Sequence, residues 1–297
     1  MPELTATRRT DDLRSLEAGL DRLQTDVAPA PVGRGRRFVE TVMPPTLFVG
    51  ALLVVWIVAV QVFGLGPETL PPPSEVFGSL GAAWASGILP LAVATSLGRA
   101  FVGFSIAVVV GTALGLLLAE IHPLRRAIGP VVSGLMVLPS VAWVPAATLW
   151  FGLTDTLVFF VVLMGGVPSI VNGLIAGVDQ VPPQLRRVGK VLGASRWQLA
   201  TAVILPAALP GYLAGLKQGW AFSWRGVLAA EIIAVGGSLG TGIGALLQDS
   251  RAAENLAGVL AAILVILVIG IAVELALLAP IERAVLRRRG LQPGGTR

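Results

Sequence analysis

The sequence predicts an all-α protein that crosses a membrane about six times. Three observations carry this. Of the 297 residues, 55% are hydrophobic and only 13% are charged, against about 25% charged in an ordinary soluble domain. The mean hydropathy is +0.81, and the apolar residues fall into long uncharged runs of the length that spans a bilayer as helix, about 20 residues. Finally, the basic residues are unevenly distributed. In a six-span arrangement, eighteen Lys and Arg fall on the side that holds both termini, and only Arg251 falls on the other.

Taken in order, the first element is a cytoplasmic N-terminal tail, residues 1–46. Its stretch "RRTDDLRSLEAGLDRLQTD" places Leu13, Leu16, Leu20 and Leu23 at helical spacing, so a short amphipathic helix is expected. "APAPVGRGRR" then reads as a linker, and no signal-peptide pattern is present. The expected spans are 47–63, 91–119, 131–151, 157–178, 207–235 and 256–279. Pro139 and Pro145 interrupt the third, which is expected to be two shorter helices joined by a bend. "LPPPSEVFGSLGAAW" lies outside, with Ser74 placed to cap a helix. Residues 47–282 make the transmembrane domain and 283–297 a cytoplasmic C-terminal tail. The positive-inside bias puts both termini in the cytoplasm of a multi-pass inner-membrane protein. That topology accounts for the net charge of +5, so nothing points to nucleic acid.

Several chemistries are excluded. The chain has no Cys and one His, His122, so neither a disulfide framework nor a Cys- or His-rich metal site is expected. No nucleophile–base constellation is legible, so no catalytic residue is assigned. A phosphate-binding G-x-x-x-x-G-K-[ST] loop is also missing. Gln184 stands where the first Gly before Lys190 belongs and Val191 replaces the Ser/Thr, while Lys217 follows Leu216. Any ATP is therefore bound by another chain, and no cofactor is expected here.

The segment "VPPQLRRVGKVLGASRWQLATAVILP" is the polar interruption between the fourth and fifth spans. Pro182-Pro183 suits a helix start. Leu185, Val188 and Leu192 form an apolar stripe, with Arg186, Arg187 and Lys190 off that stripe. Gly193 allows a left-handed turn. Ser195 can cap a second short helix carrying Arg196, Trp197 and Gln198, and Pro206 and Pro210 mark entry to the fifth span. Physics alone leaves two readings of this helix–turn–helix: an interfacial loop anchored by Trp197, or a docking element for a cytoplasmic partner.

Ionisable residues also lie within or beside the spans. Lys217, Trp224 and Glu231 are seven apart and share one helical stripe. Arg225 is beside it, and Arg99 is in the outer half of the second span. Two readings stand: a cation-lined translocation path for a small anion, or structural Lys–Glu and Arg–Glu pairs between helices. Gly111 with Gly115, and Gly211 with Gly215, offer small-residue packing faces.

"LGASRWQLATAVILPAALPG" resembles the EAA loop of ABC-importer permeases. Gly193 matches the motif glycine, and Ile204, Leu205 and Pro206 come close to its I-x-L-P end. "SLGRAFVGFSIAVVVGTALGLLLA", "VLPSVAWVPAATLWFGLTD" and "GLKQGWAFSWRGVLAAEII" resemble the permeases of that family that handle aliphatic sulfonates, taurine, nitrate or bicarbonate. The likeness covers residues 45–290. It implies the MetI-like, type I importer fold and a homodimer. It also implies ABC ATPase subunits docked on residues 183–203 (Arg187, Val188, Gly189, Gly193, Ser195, Arg196 and Trp197) and an extracytoplasmic substrate-binding protein. One departure stands out. Arg187 occupies the position of the motif's Glu, with Val188 and Gly189 in place of its two alanines. The expected function is the permease subunit of an ATP-driven small-anion importer. The alternative is a same-family permease for an uncharged organic nutrient, such as a pyrimidine precursor or riboflavin.

Overall fold

The computed structural model describes residues 34–288 except Leu65, Arg196, Trp197, Gly237 and Ser238. Among the described residues every regular element is helical: α1 (Arg34–Val62), α2 (Pro73–Ala85), α3 (Ile88–Glu120), α4 (His122–Val137), α5 (Val144–Phe151), α6 (Asp155–Asp179), α7 (Pro183–Val191), α8 (Leu205–Ile233), α9 (Ile243–Ala252), α10 (Leu256–Val273) and α11 (Ala279–Arg288). The amphipathic helix expected around Leu13–Leu23 lies outside the described residues. The chain divides into two units at Ala59 and Val60. In the first, helix α1 starts at Arg34, inside the stretch read as linker, and runs through Pro44 and Pro45.

Among the described residues five helices are long and apolar enough to cross a membrane, and a bent pair, taken as one span, brings the number to six. The bent pair is the third expected span. Residues His122–Val137 and Ser140–Phe151 meet at 101°. The break lies at Leu138, which is extended with ψ 122°, the conformation that the ring of a following proline imposes. Pro145 does not contribute to the break as expected. It sits in the first turn of α5, where a missing N–H costs nothing. Ser74 also departs from expectation: α2 starts at Pro73 with Pro72 at the N-cap, two residues earlier, and has no side-chain cap.

The fifth span differs most from the sequence reading. It begins at Leu199, not near residue 207. Pro206 and Pro210 do not delay it. The helix opens with a π turn over Leu199–Ile204 and continues as α8 with Pro206 in its first turn. The wider turn sits just ahead of the two residues that have no N–H to give. The second short helix expected after Gly193 is therefore the start of the span itself.

Helix α6 is the centre of the second unit. Its apolar residues cover all faces, which suits a helix surrounded by others. Val158, Val161, Val162, Ile170 and Val171 are fully buried. Helices α3 and α8 flank α6 through glycines. A Cβ on Gly111 would lie 2.9 Å from Ile170 Cβ, and one on Gly115 2.9 Å from Leu174 Cδ2. Gly211 and Gly215 of α8 face Gly177 and Gly173 of α6, where an added Cβ would lie 2.5 Å and 2.7 Å from the opposing Cα atoms. Both expected packing faces are thus used. Close backbone approach is how apolar helices associate when lipid removes the hydrophobic drive.

Candidate functional site

Three groups of residues fall at different levels of the second unit. The first is the loop after α6. Helix α7 begins at Pro183, directly after Pro182. Its end is a Schellman turn: the N–H of Ala194 bonds Gly189 O at 3.0 Å and the N–H of Gly193 bonds Lys190 O at 3.0 Å. Gly193 takes φ +77°, a conformation in which a Cβ is strained. The next two residues start the following helix. The Ser195 N–H donates to Gln198 Oε1 at 2.8 Å, and the Gln198 N–H donates to Ser195 Oγ at 3.2 Å. This reciprocal pair is a capping box. Its Ser-x-x-Gln spacing is legible in the sequence and adds Gln198 to the cap expected of Ser195 alone. Arg196 and Trp197 lie outside the described residues.

The turn is thus a closed set of hydrogen bonds that joins α7 to the span. Gly189 is buried under Leu199, whose Cδ1 would lie 2.6 Å from an added Cβ. Much of the rest of α7 is bare. Leu185, Val188 and Leu192, on one side of the helix, are exposed at 43%, 55% and 80%, and Arg187 and Lys190 are exposed on the other side.

The second group lies at the opposite end of the bundle. Arg99 of α3 is buried and fully engaged. Its Nε donates to Asp155 Oδ1 at 2.8 Å, its Nη1 to Glu231 Oε1 at 2.8 Å, and its Nη2 to the carbonyl of Leu239. Glu231 is also satisfied: Oε2 accepts from Ser96 Oγ at 2.7 Å and from the Gly244 N–H at 3.1 Å. Ser96 Oγ in turn accepts from the Ile243 N–H at 2.8 Å. These bonds pin the α8–α9 connection onto α3 and α6. Gly242 lies against the Glu231 carboxylate with no room for a Cβ. A cleft of about 230 Å³ opens above, lined by Arg99, Glu231, Gly236, Thr241 and Asp249 among others.

The third group holds Lys217. Its Nζ lies 2.8 Å from Glu274 Oε1 and 2.9 Å from Glu282 Oε2. The two carboxylates are eight residues apart, which a regular α-helix would splay by about 80°. A π turn over Glu274–Leu278 lies between them. Its extra residue brings them to within about 20°, as for a seven-residue spacing, and both reach one ammonium group.

The stripe Lys217–Trp224–Glu231 is therefore divided. Lys217 pairs with the last helices, Trp224 is in the buried core, and Glu231 joins Arg99 at the far end. Arg225 stands apart. It is exposed on α8, at helical spacing from exposed Ala214 and Gln218. Its guanidinium rests over the Phe222 ring, 5.1 Å from the centroid.

Residues 111–281 match the family model of the binding-protein-dependent transport system inner membrane component. The chain is 30% identical to the nitrate import permease protein NrtB of Synechocystis sp., over 78% of this chain and 86% of that protein. It is 32% identical to the taurine transport system permease protein TauC of Escherichia coli, over 79% and 86%. It is also 32% identical to the riboflavin transport system permease protein RibX of Chloroflexus aurantiacus, over 70% and 76%. An inward-facing structure of the MetNI methionine ABC transporter contains a chain of the same fold. The TM-score is 0.58 at 19% identity, over 68% of this chain and 97% of that one. The chain therefore belongs to the binding-protein-dependent transport system inner membrane components, the membrane permeases of ABC importers.

Proposed function

We propose that this chain forms a homodimer that imports a small anion. Each copy docks one ABC ATPase subunit on residues 183–203 and receives its substrate from an extracytoplasmic binding protein. Relatives that carry nitrate, taurine and bicarbonate support the anion class. The single observation that carries it is Arg225. Its guanidinium lies on the exposed face of a span helix, and no carboxylate is paired with it among the described residues. A cation facing lipid costs about 2.5–3.5 kcal/mol at a helix centre on insertion scales, so such a group faces water or another protein surface. In a two-fold dimer two copies of Arg225 would then flank one passage, as basic rings do in anion pores. Arg99, Lys217, Trp224 and Glu231 face the neighbouring helices instead and set the position of α8.

The loop transmits force because its turn is rigid. Closure of the ATPases moves α7, and the Schellman turn and capping box pass that movement to α8. The helices then alternate between inward- and outward-open arrangements. ATP is bound and hydrolysed on the partner subunit.

Arg225→Met is expected to keep the dimer and reduce nitrate or taurine uptake by about tenfold or more, with Arg225→Lys retaining part of it. Uptake is measured with labelled substrate in reconstituted vesicles. Wild-type anion uptake by Arg225→Met would remove the support for an anion. Riboflavin uptake that is indifferent to the substitution would establish the uncharged-nutrient reading. Gly193→Val is expected to strain the turn and weaken ATPase co-purification or uncouple hydrolysis from uptake. Wild-type assembly and transport would count against docking at this loop.

The orientation is also a proposal. It places α7 and both termini in the cytoplasm, on the Lys/Arg count. A cysteine introduced at Glu75 is expected to react with an impermeant maleimide in intact cells, and one at Lys190 only after lysis. The opposite labelling pattern would reverse the topology.

A further inference from the structure

The break in the third span and the exposed cation of α8 meet at one level of α6. Leu138 and Pro139 are outside any helix, and the chain resumes as a 3-10 turn over Ser140–Trp143 ahead of α5. The level of this break is fixed by Gly165, which lies near the middle of α6 (Asp155–Asp179). A Cβ on Gly165 would lie 3.1 Å from Ser140 Oγ and 3.3 Å from Phe222 Cβ. The break therefore falls midway along a helix that spans the membrane.

Irregular backbone at membrane depth is tolerated only where protein buries it or where it lines a water-filled cavity. This chain does not bury it: Leu138, Pro139, Val141 and Ala142 are all exposed. The Ser140 hydroxyl, which is half-buried, has no hydrogen-bond partner among the described residues. Arg225 makes the same demand for water from the other side of Phe222. Its guanidinium rests on the Phe222 ring, 5.1 Å from the centroid. A ring face orients a guanidinium without cancelling its charge, and the N–H groups along its edge stay free to donate.

We propose that Ser140 and Arg225 form a substrate site midway across the membrane, which takes an oxyanion with at least two acceptor oxygens. The guanidinium supplies charge to one oxygen, the Ser140 hydroxyl donates to another, and Phe222 positions the guanidinium. The proposal rests on the reading of Arg225 as lining an anion passage and adds the broken third span as a second wall. A lone cation attracts any anion. A donor fixed beside it favours an anion that accepts at that point, because an unmet donor is costly in a partly dry site.

The test uses the importer assembled with its ATPase and binding protein in lipid vesicles. Uptake of nitrate and of taurine is measured for the wild type, Ser140→Ala, Ser140→Thr, Arg225→Met and the double variant Ser140→Ala/Arg225→Met. Ser140→Ala is expected to lower uptake about tenfold, the scale of one hydrogen bond to a charged group, with assembly and melting temperature unchanged. Ser140→Thr keeps the hydroxyl and should retain most of the uptake. The double variant should fall within about twofold of Arg225→Met, since one anion couples the two side chains. Wild-type uptake by Ser140→Ala, or losses that simply multiply in the double variant, overturns the proposal. If Arg225→Met lowers uptake and Ser140→Ala does not, the anion passage stands and the site at the break is wrong. If neither lowers it, both readings fall.

A second measurement does not depend on uptake. The chain has no cysteine, so Ser140→Cys presents its one thiol at the break. Its rates with an anionic and with a cationic methanethiosulfonate are compared, each relative to free cysteine. The anionic reagent is expected to be favoured by about tenfold, and Arg225→Met should abolish that preference, because a nearby cation concentrates anions. A thiol that neither reagent reaches, with or without ATP, means that a second copy or lipid covers the break, and the proposal fails. A preference that survives Arg225→Met overturns it as well.

Discussion

Gly215→Val is expected to abolish the folded permease. A Cβ on Gly215 would lie 2.7 Å from Gly173 Cα and 3.1 Å from Ser169 O. Both are backbone atoms, so no side chain can turn aside to make room. Helices α6 and α8 would have to separate, and the neighbouring contact of Gly211 with Gly177 would open with them. Overpacking by a single group typically costs about 1–3 kcal/mol, and a β-branched side chain wedged between two backbones falls at or above the top of that range. Lipid offers no hydrophobic compensation for the parted surfaces. The readout is the yield of monodisperse protein in detergent and its melting temperature. Gly98→Ala is the control. Gly98 lies in span α3 with nothing within 4 Å of its added Cβ, and its melting temperature should match the wild type or exceed it. Wild-type yield and melting for Gly215→Val would contradict the close crossing.

Arg99→Met is expected to destabilise by about 3–5 kcal/mol, because it leaves the buried Glu231 carboxylate without its counter-ion. Glu231→Met should cost less, because Arg99 keeps Asp155 and the Leu239 carbonyl. The double variant Arg99→Met/Glu231→Met removes both charges and should recover much of the loss. Thermal unfolding of the four proteins gives the coupling directly. Additive losses in the double variant would mean that the pair does not act as a unit. Uptake should behave differently from stability. The α8–α9 connection is held by Ser96, Leu239 and Gly244 through this network, so the double variant should fold yet transport poorly. Asp155 is 57% exposed, and Asp155→Asn should cost far less than either buried substitution, since screened surface pairs contribute about 0–1 kcal/mol.

What the sequence determined by itself were properties fixed within a few consecutive residues. Hydropathy over about 20 residues decides that a segment prefers lipid, and the spans follow from it. Pro139 decides the break in the third span through its effect on Leu138. Gly193 and Ser195 decide the turn after α7, since a left-handed residue and a helix cap are short-range requirements. The spacing of Gly211 and Gly215 marked a packing face, but its partners, Gly173 and Gly177, emerged only when α6 and α8 were placed side by side.

Tertiary structure decided everything that depends on which residues meet. Lys217, Trp224 and Glu231 share a helical stripe by arithmetic, yet the span that carries them runs from Leu199 to Ile233. Its neighbours change along that length. At one end lie the last helices, with Glu274 and Glu282. In the middle is the core around Trp224. At the other end is Arg99, 132 positions away from Glu231 in sequence. A periodicity specifies a direction around one helix axis, not the identity of what stands in that direction. That is why the sequence located the charges, and only the packed helices separated the paired cations, Arg99 and Lys217, from Arg225, which no carboxylate meets among the described residues.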